Sequence, residues 1–261
     1  MFLLQLHKKK LKADLGEAMN FCSNGRSGAS VRFRNGKIIK TATKETVDMQ
    51  LEWYNYNPYA SPRRKRLSDH TYKMEFIFGN CAAVTTSLWR DAINIPLKFK
   101  DMPPIENYSG NYTDYVTYCV KNLPNNLQSK VSNAATKFNY TTNTLCHGDL
   151  VLNHIIQDEF DNIFLIDPSI KSGMWNSWMI DVGRLMTSFR SNYDSRFMRW
   201  PHVDGKVDMV ETMKDAYNLS MEEMLVQELL IHSRIYKFQF KFSHNDGVST
   251  EKDIMQILDL L

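Results

Sequence analysis

Residues 144–168 read TLCHGDLVLNHIIQDEFDNIFLIDP, and the reading of this stretch decides the fold. Two short β-rich runs, His154–Ile156 and Ile163–Ile166, flank the turn-forming residues Asp158–Asn162, a pattern that predicts a hairpin. The return strand of a hairpin lies alongside the first, so Asp167 is expected back beside Asn153 or His154. Residues on the two sides of the turn can form one site only through that return.

Downstream, Trp178, Val182, Leu185 and Phe189 recur at helical spacing, with Asp181 on or near the same apolar face. A carboxylate there must find hydrogen-bond donors or bear a desolvation cost of several kcal/mol. The last third, from about Val207, is again helical in pattern and includes Met221–Ile235. Upstream, alternation through Val31 and Phe33, an Asn35-Gly36 turn and a run from Lys37 to Thr41 predict a second hairpin. Val47, Leu51 and Tyr54 then predict a helix over Glu45–Tyr56, closed by Pro58. Pro62-Arg63-Arg64-Lys65-Arg66 is expected to be a solvated loop rather than a nucleic-acid patch. Tyr72–Ile77 reads as a strand ending at Gly79, and the chain to Asn143 as helices and loops.

Composition bounds the possible functions. The 261 residues are 43% apolar and 23% charged, enough for a substantial core, and Gly (11) and Pro (8) are too sparse for a collagen-like or low-complexity chain. A formal charge of +3 gives no argument for nucleic-acid binding. Cys22, Cys81, Cys119 and Cys146 show no CxxC pair and no paired Cys/His spacing, which argues against a disulfide framework or a structural zinc site. The N-terminal MFLLQLHKKKLK places its apolar stretch before its basic run, the reverse of a secretory signal, and no stretch approaches the roughly 18 apolar residues of a membrane span. A soluble, cytoplasmic protein is the expectation.

Taken in order, His147-Gly148-Asp149-Leu150, His154-Ile155-Ile156, Ile166-Asp167-Pro168 and Asp181 with Gly183-Arg184-Leu185 resemble the active-site segment of the aminoglycoside phosphotransferase and choline kinase group of small-molecule kinases. The pattern in that group is His-Gly-Asp, four further residues, Asn or His, a hairpin and Ile-Asp. The group has a protein-kinase-like fold, so the resemblance implies a two-lobed α+β chain. Residues 1–77 would form a nucleotide-binding lobe with a small antiparallel sheet and one helix. Residues 78–261 would form a mostly helical lobe with the catalytic hairpin and the acceptor-binding helices, ATP lying between the two. Ser23–Ser30 is similar to the phosphate-covering loop, with Gly25, Ser27 and Gly28 as nucleotide contacts. Lys40 falls at the nucleotide lysine, with Glu52 as the preferred helix partner and Gln50 or Glu45 as alternatives. Met74-Glu75-Phe76-Ile77 looks like the segment between the lobes, where the backbone around Glu75 and Ile77 would meet adenine.

Phosphoryl transfer from ATP to a hydroxyl needs positioning and charge neutralisation more than covalent help, which explains these residue types chemically. The resemblance implies ATP and Mg²⁺ as cofactors. By that resemblance Asp149 orients the acceptor hydroxyl and takes its proton late, Asp167 and His154 hold the metal, and His147 and Asp181 support the catalytic loop. Mg²⁺ prefers oxygen ligands, which makes His154 a departure from the commoner Asn, although the 2''-type aminoglycoside phosphotransferases are similar in having His there. Strand alternation lets only one of Asn153 and His154 face the metal, and His154 is preferred because Ile155-Ile156 then matches the apolar pair of the group. The implied partner is a small-molecule hydroxyl acceptor: a sugar, an aminoglycoside, a choline-like alcohol or a glycan precursor. Rival readings are a non-catalytic nucleotide-binding or scaffold protein, and a protein kinase or nucleotidyl-transferring relative.

Overall fold

Asn35 and Gly36 both adopt positive φ, 50° and 68°, as a tight hairpin turn requires. They join strands β2 (Ser30–Arg34) and β3 (Lys37–Thr41), paired antiparallel with Phe33 opposite Ile38. The computed structural model describes residues 21–24, 29–196 and 203–261, so Gly25, Ser27 and Gly28 lie outside the described residues. Contacts divide the chain into one unit of Met1–Ala82 with His154–Ser169, and a second of Ala83–Asn153 with Ile170–Leu261.

In the first unit, a five-stranded antiparallel sheet has the order β1-β2-β3-β5-β4, with β1 at Phe21–Asn24, β4 at Arg64–Ser68 and β5 at Thr71–Glu75. Arg64–Arg66 of the basic run expected to be a loop therefore belong to an edge strand, while Pro62 and Arg63 precede it. Its Lys65 and Arg66 are exposed and its register slips between Arg66 and Ser68, both of which discourage edge-to-edge pairing. Helix α1 (Lys44–Tyr56) starts at Thr43, whose hydroxyl accepts the Thr46 N–H. Its buried face runs through Val47, Gln50, Trp53 and Tyr54, so a polar amide lies among apolar neighbours where the sequence pattern pointed to Leu51.

The hairpin expected around residues 154–166 is present as β7 (Ile155–Asp158) and β8 (Ile163–Leu165), with Ile155 opposite Leu165. Its turn is closed by Asp158, whose Oδ1 accepts the N–H groups of Phe160 and Asn162, each at 2.9 Å. Strand β6 (Gly79–Cys81) pairs with β7 so closely that a Cβ on Gly79 would stand 2.1 Å from the Gln157 carbonyl oxygen. This pairing draws His154–Ser169 into the first unit.

The second unit is helical. Helices α2 (Trp89–Lys100), α3 (Tyr112–Val120) and α4 (Asn125–Ala135) precede the loop that carries His147, Gly148 and Asp149. After it come α5 (Trp178–Phe189), the short α6 (Tyr193–Arg196), α7 (Asp208–Tyr217), α8 (Met221–Phe242) and α9 (His244–Leu260). Every residue of α5 is buried, which makes it the central helix of this unit. Gly183 permits its contact with α8, since a Cβ there would stand 2.6 Å from the Gln227 carbonyl oxygen. Helix α8 is started by a capping box between Ser220 and Glu223. Among the described residues no helix is long and apolar enough to cross a membrane.

Candidate active site

The first unit brings together Lys40, Gln50, Tyr54, Tyr72 and Asp167. Side chains alternate along β3, so Lys40 shares the buried face of Ile38, and it stands opposite Tyr72 of β5. Its side chain is only 7% exposed, and its ammonium is paired with Asp167 Oδ1. Gln50 Nε2 donates to the same carboxylate oxygen and to the Pro168 carbonyl, each at 2.9 Å, while its Oε1 accepts the Tyr72 hydroxyl at 2.9 Å. The Tyr54 hydroxyl accepts the Asp167 N–H at 3.4 Å. Asp167 itself has φ of 64°, a left-handed conformation that Asp tolerates better than bulkier residues, and it turns the chain directly after β8.

Desolvation opposes ionisation of Asp167, but Lys40 outweighs it with help from His154 and Gln50, and the carboxyl is held well below the usual range. Its side chain nevertheless remains 44% exposed. The alternative helix partner Gln50 thus takes part in this cluster, and Glu52, the preferred one, does not; Glu45 is exposed in the first turn of α1.

Asn153 and His154 end a single 3₁₀ turn, Leu152–His154, rather than lying within the strand, so strand alternation does not distinguish them. The return of the hairpin is nonetheless direct: the Ile166 N–H donates to the His154 carbonyl at 3.0 Å, and the His154 imidazole acts electrostatically on Asp167. Both Asn153 and His154 are buried, and Asn153 Oδ1 has no hydrogen-bond partner. Glu75 ends β5, with its carboxylate at 3.4 Å from the Arg63 N–H, and Ile77 lies between β5 and β6.

In the second unit, His147-Gly148-Asp149 is held from three sides. Asp181 of α5 accepts the His147 N–H at 2.7 Å and the Gly148 N–H at 2.8 Å, which fixes a loop whose Gly148 has φ of 78°. Burial pushes the Asp181 carboxyl up to about 7, although the two N–H groups and Arg234 pull it down. Arg234 of α8 donates to the Gly148 carbonyl at 2.7 Å. Arg184, one helical turn after Asp181, pairs with Asp149 at 2.5 Å while its guanidinium lies 4.8 Å from the centre of the Tyr193 ring. The Asp149 side chain retains 30% exposure. Cys146, next to His147, is a buried thiol whose pKa is raised by desolvation, so it is not poised as a nucleophile.

Sequence reasoning singled out Asp181 but not the contacts of Arg184 or Arg234. The spacing of Asp181 and Arg184, three apart on one helix, places them on one side and was a usable signal. Arg234, 86 positions from Gly148, had none.

Among the described residues there is no cluster of three His, Cys, Asp or Glu side chains suited to a metal. Mg²⁺ on a nucleotide needs no such cage, since one or two carboxylates, phosphate oxygens and waters complete its shell. The accessible, ionised Asp167 fits that requirement.

No protein-family model and no curated protein sequence matches the chain. Solved structures do match along nearly its whole length. Choline kinase LicA from Streptococcus pneumoniae is 15% identical with a TM-score of 0.62, covering 97% of this chain and 98% of its own. A thermostable mutant of aminoglycoside phosphotransferase APH(4)-Ia, in ternary complex with ADP and hygromycin B, is 9% identical with a TM-score of 0.64 and the same coverage. The gentamicin complex of APH(2")-IIa is 12% identical with a TM-score of 0.59, covering 97% of each chain. At these identities the shared property is architecture: this chain has the protein-kinase-like α+β fold of the small-molecule kinases.

Proposed function

We propose that this chain is an ATP- and Mg²⁺-dependent phosphotransferase acting on a hydroxyl group of a small molecule. The observation that carries the reading is the pairing of Lys40 with Asp167, 127 positions apart, on a fold shared with an ADP-bound phosphotransferase. In this reading residues 1–77 handle the nucleotide: Lys40 contacts the α- and β-phosphates, Gly25, Ser27 and Gly28 cover them, and the backbone at Glu75 and Ile77 meets adenine. Residues 78–261 supply the catalytic hairpin and the acceptor-binding helices.

Asp167, with His154 beside it, would hold Mg²⁺, which supplies charge neutralisation on the phosphates when bound. Asp149 orients the acceptor hydroxyl. As the acceptor oxygen bonds to the γ-phosphorus and the bond to the ADP oxygen breaks, the hydroxyl proton passes late to Asp149. Asp181, Arg184 and Arg234 hold the loop in the position this requires. We place the reaction in the cytoplasm, where ATP is supplied. A second reading, nucleotide binding without transfer, is favoured only by the nitrogen ligand His154 where an oxygen would suit Mg²⁺ better.

The test is incubation of the full chain with ATP, Mg²⁺ and a metabolite mixture, followed by mass analysis. The expected product is an acceptor heavier by one phosphate. A gain of a nucleoside monophosphate would assign nucleotidyl transfer instead. Asp149→Asn should keep MgATP affinity and lose turnover by at least about 10²-fold. Equal turnover in that variant would remove Asp149 from the mechanism.

A further inference from the structure

We propose that the acceptor carries an anionic group, a phosphate or a carboxylate, on its hydroxyl-bearing frame. This inference rests on the reading of Asp149 as the residue that meets the acceptor. Two guanidinium groups flank that carboxylate: Arg184 pairs with it, and Arg234 grips the adjoining Gly148 carbonyl and feels the Asp149 charge. The Arg184 side chain is 3% exposed, and its Nε and Nη1 are buried without a hydrogen-bond acceptor. That guanidinium is packed on the Tyr193 ring, so Arg184 acts on the site through its charge and through Asp149.

The positive charge continues outward from Arg234. Arg234 interacts electrostatically with Tyr115, Tyr118 and Cys119. The Lys171 ammonium donates to the Tyr118 hydroxyl and lies 4.0 Å from the ring centre, and Lys121 lies 4.4 Å from the same centre. Arg234, Lys171 and Lys121 all act on the Cys119 thiol. Four cations therefore run from Asp149 to Tyr118. Of the acids beside them, Asp149 is already paired with Arg184, and Asp181 uses its oxygens on the His147 and Gly148 N–H groups while burial disfavours its ionisation.

Such a surplus repels a cationic acceptor, and Tyr118, an aromatic that could receive an ammonium, is already engaged by two lysines. An anion is attracted by the same arrangement, and the exposed ammonium groups of Lys121 and Lys171 can donate charge-assisted hydrogen bonds to a phosphate or carboxylate.

The test uses one carbon frame in three charge states: glycerol, glycerol 3-phosphate and 3-amino-1,2-propanediol, each titrated by NMR into the intact chain without nucleotide. Glycerol 3-phosphate should bind at least about tenfold more tightly than the other two. That preference should disappear in the double variant Lys121→Glu/Lys171→Glu and persist in Lys37→Glu, an exposed lysine of β3 outside the proposed sites. Equal or tighter binding of the amine, no binding preference at all, or a preference retained in the double variant overturns the proposal. Because binding is read without ATP, failure of phosphoryl transfer would show separately, as an anion preference without any phosphorylated product.

Discussion

Lys40 and Asp167 share a charge-assisted hydrogen bond, and Gln50 donates to the same carboxylate oxygen while holding the next carbonyl in the chain. A buried ammonium and an accessible carboxylate thus fix each other, with an uncharged helix residue as the brace. The carboxylate stays ionised and reachable, the state in which it can accept a cation from solution.

Replacement of Lys40 should separate the phosphates from the base. Lys40→Met is expected to weaken ATP by at least about tenfold while changing adenosine little, because only the phosphates lose a partner. Lys37→Met and Lys44→Met carry the same charge change on exposed side chains and should leave both affinities alone, with stability within about 0.5 kcal/mol of the parent. Calorimetric titration of the three variants checks this, and an equal loss in the controls would move the nucleotide lysine elsewhere.

The metal assignment is open to a ranking experiment. Asp167→Ala should abolish the Mg²⁺-dependent part of the thermal stabilisation by ATP, since a ligand stabilises in proportion to its binding to the native state. His154→Ala should lose most of it, and Asn153→Ala less. Asn153 Oδ1 is a buried oxygen with no hydrogen-bond partner, so the reverse ranking would identify it as the metal-facing atom in place of the imidazole.

Stability should depend on pH through Asp181. Its carboxyl is raised to about 7 in the folded chain from 3.8, so the native state binds the proton more tightly than the unfolded one between those values. The contribution is fully present below the unfolded pKa and falls as pH rises toward the folded pKa, by up to about 1.4 kcal/mol per pH unit. Urea titrations from pH 4 to 7 should show this slope in the parent and its reduction in Asp181→Asn. A slope unchanged in the variant would mean that another group titrates there.

Gly183→Ala should destabilise the helical unit by about 1–3 kcal/mol, because the new methyl group would stand 2.6 Å from a carbonyl of α8 and the two helices must separate. Differential scanning calorimetry should show a lowered Tm for this variant. A Tm equal to the parent would show that the helices yield without cost.

Local chemistry determined a large part of this protein. The Asn35-Gly36 hairpin, the helix over residues 178–189, the β7–β8 hairpin and the return of Asp167 to His154 were legible because turn residues and side-chain periodicity act between near neighbours in the chain. Tertiary structure alone decided the rest. Pro62–Arg66 looked like a loop because its charges hide strand alternation, and only β5 beside Arg64–Ser68 supplies the pairing. Lys40 could have pointed either way from its strand until Asp167 met it. Gln50 entered the cluster instead of Glu52 because a helix rotation of one or two residues is set by packing, not by propensity. Arg184 on Asp149 and Arg234 on Gly148 are bonds across 35 and 86 positions, and such partners are chosen by the way α5 and α8 pack around the loop, which no local pattern encodes.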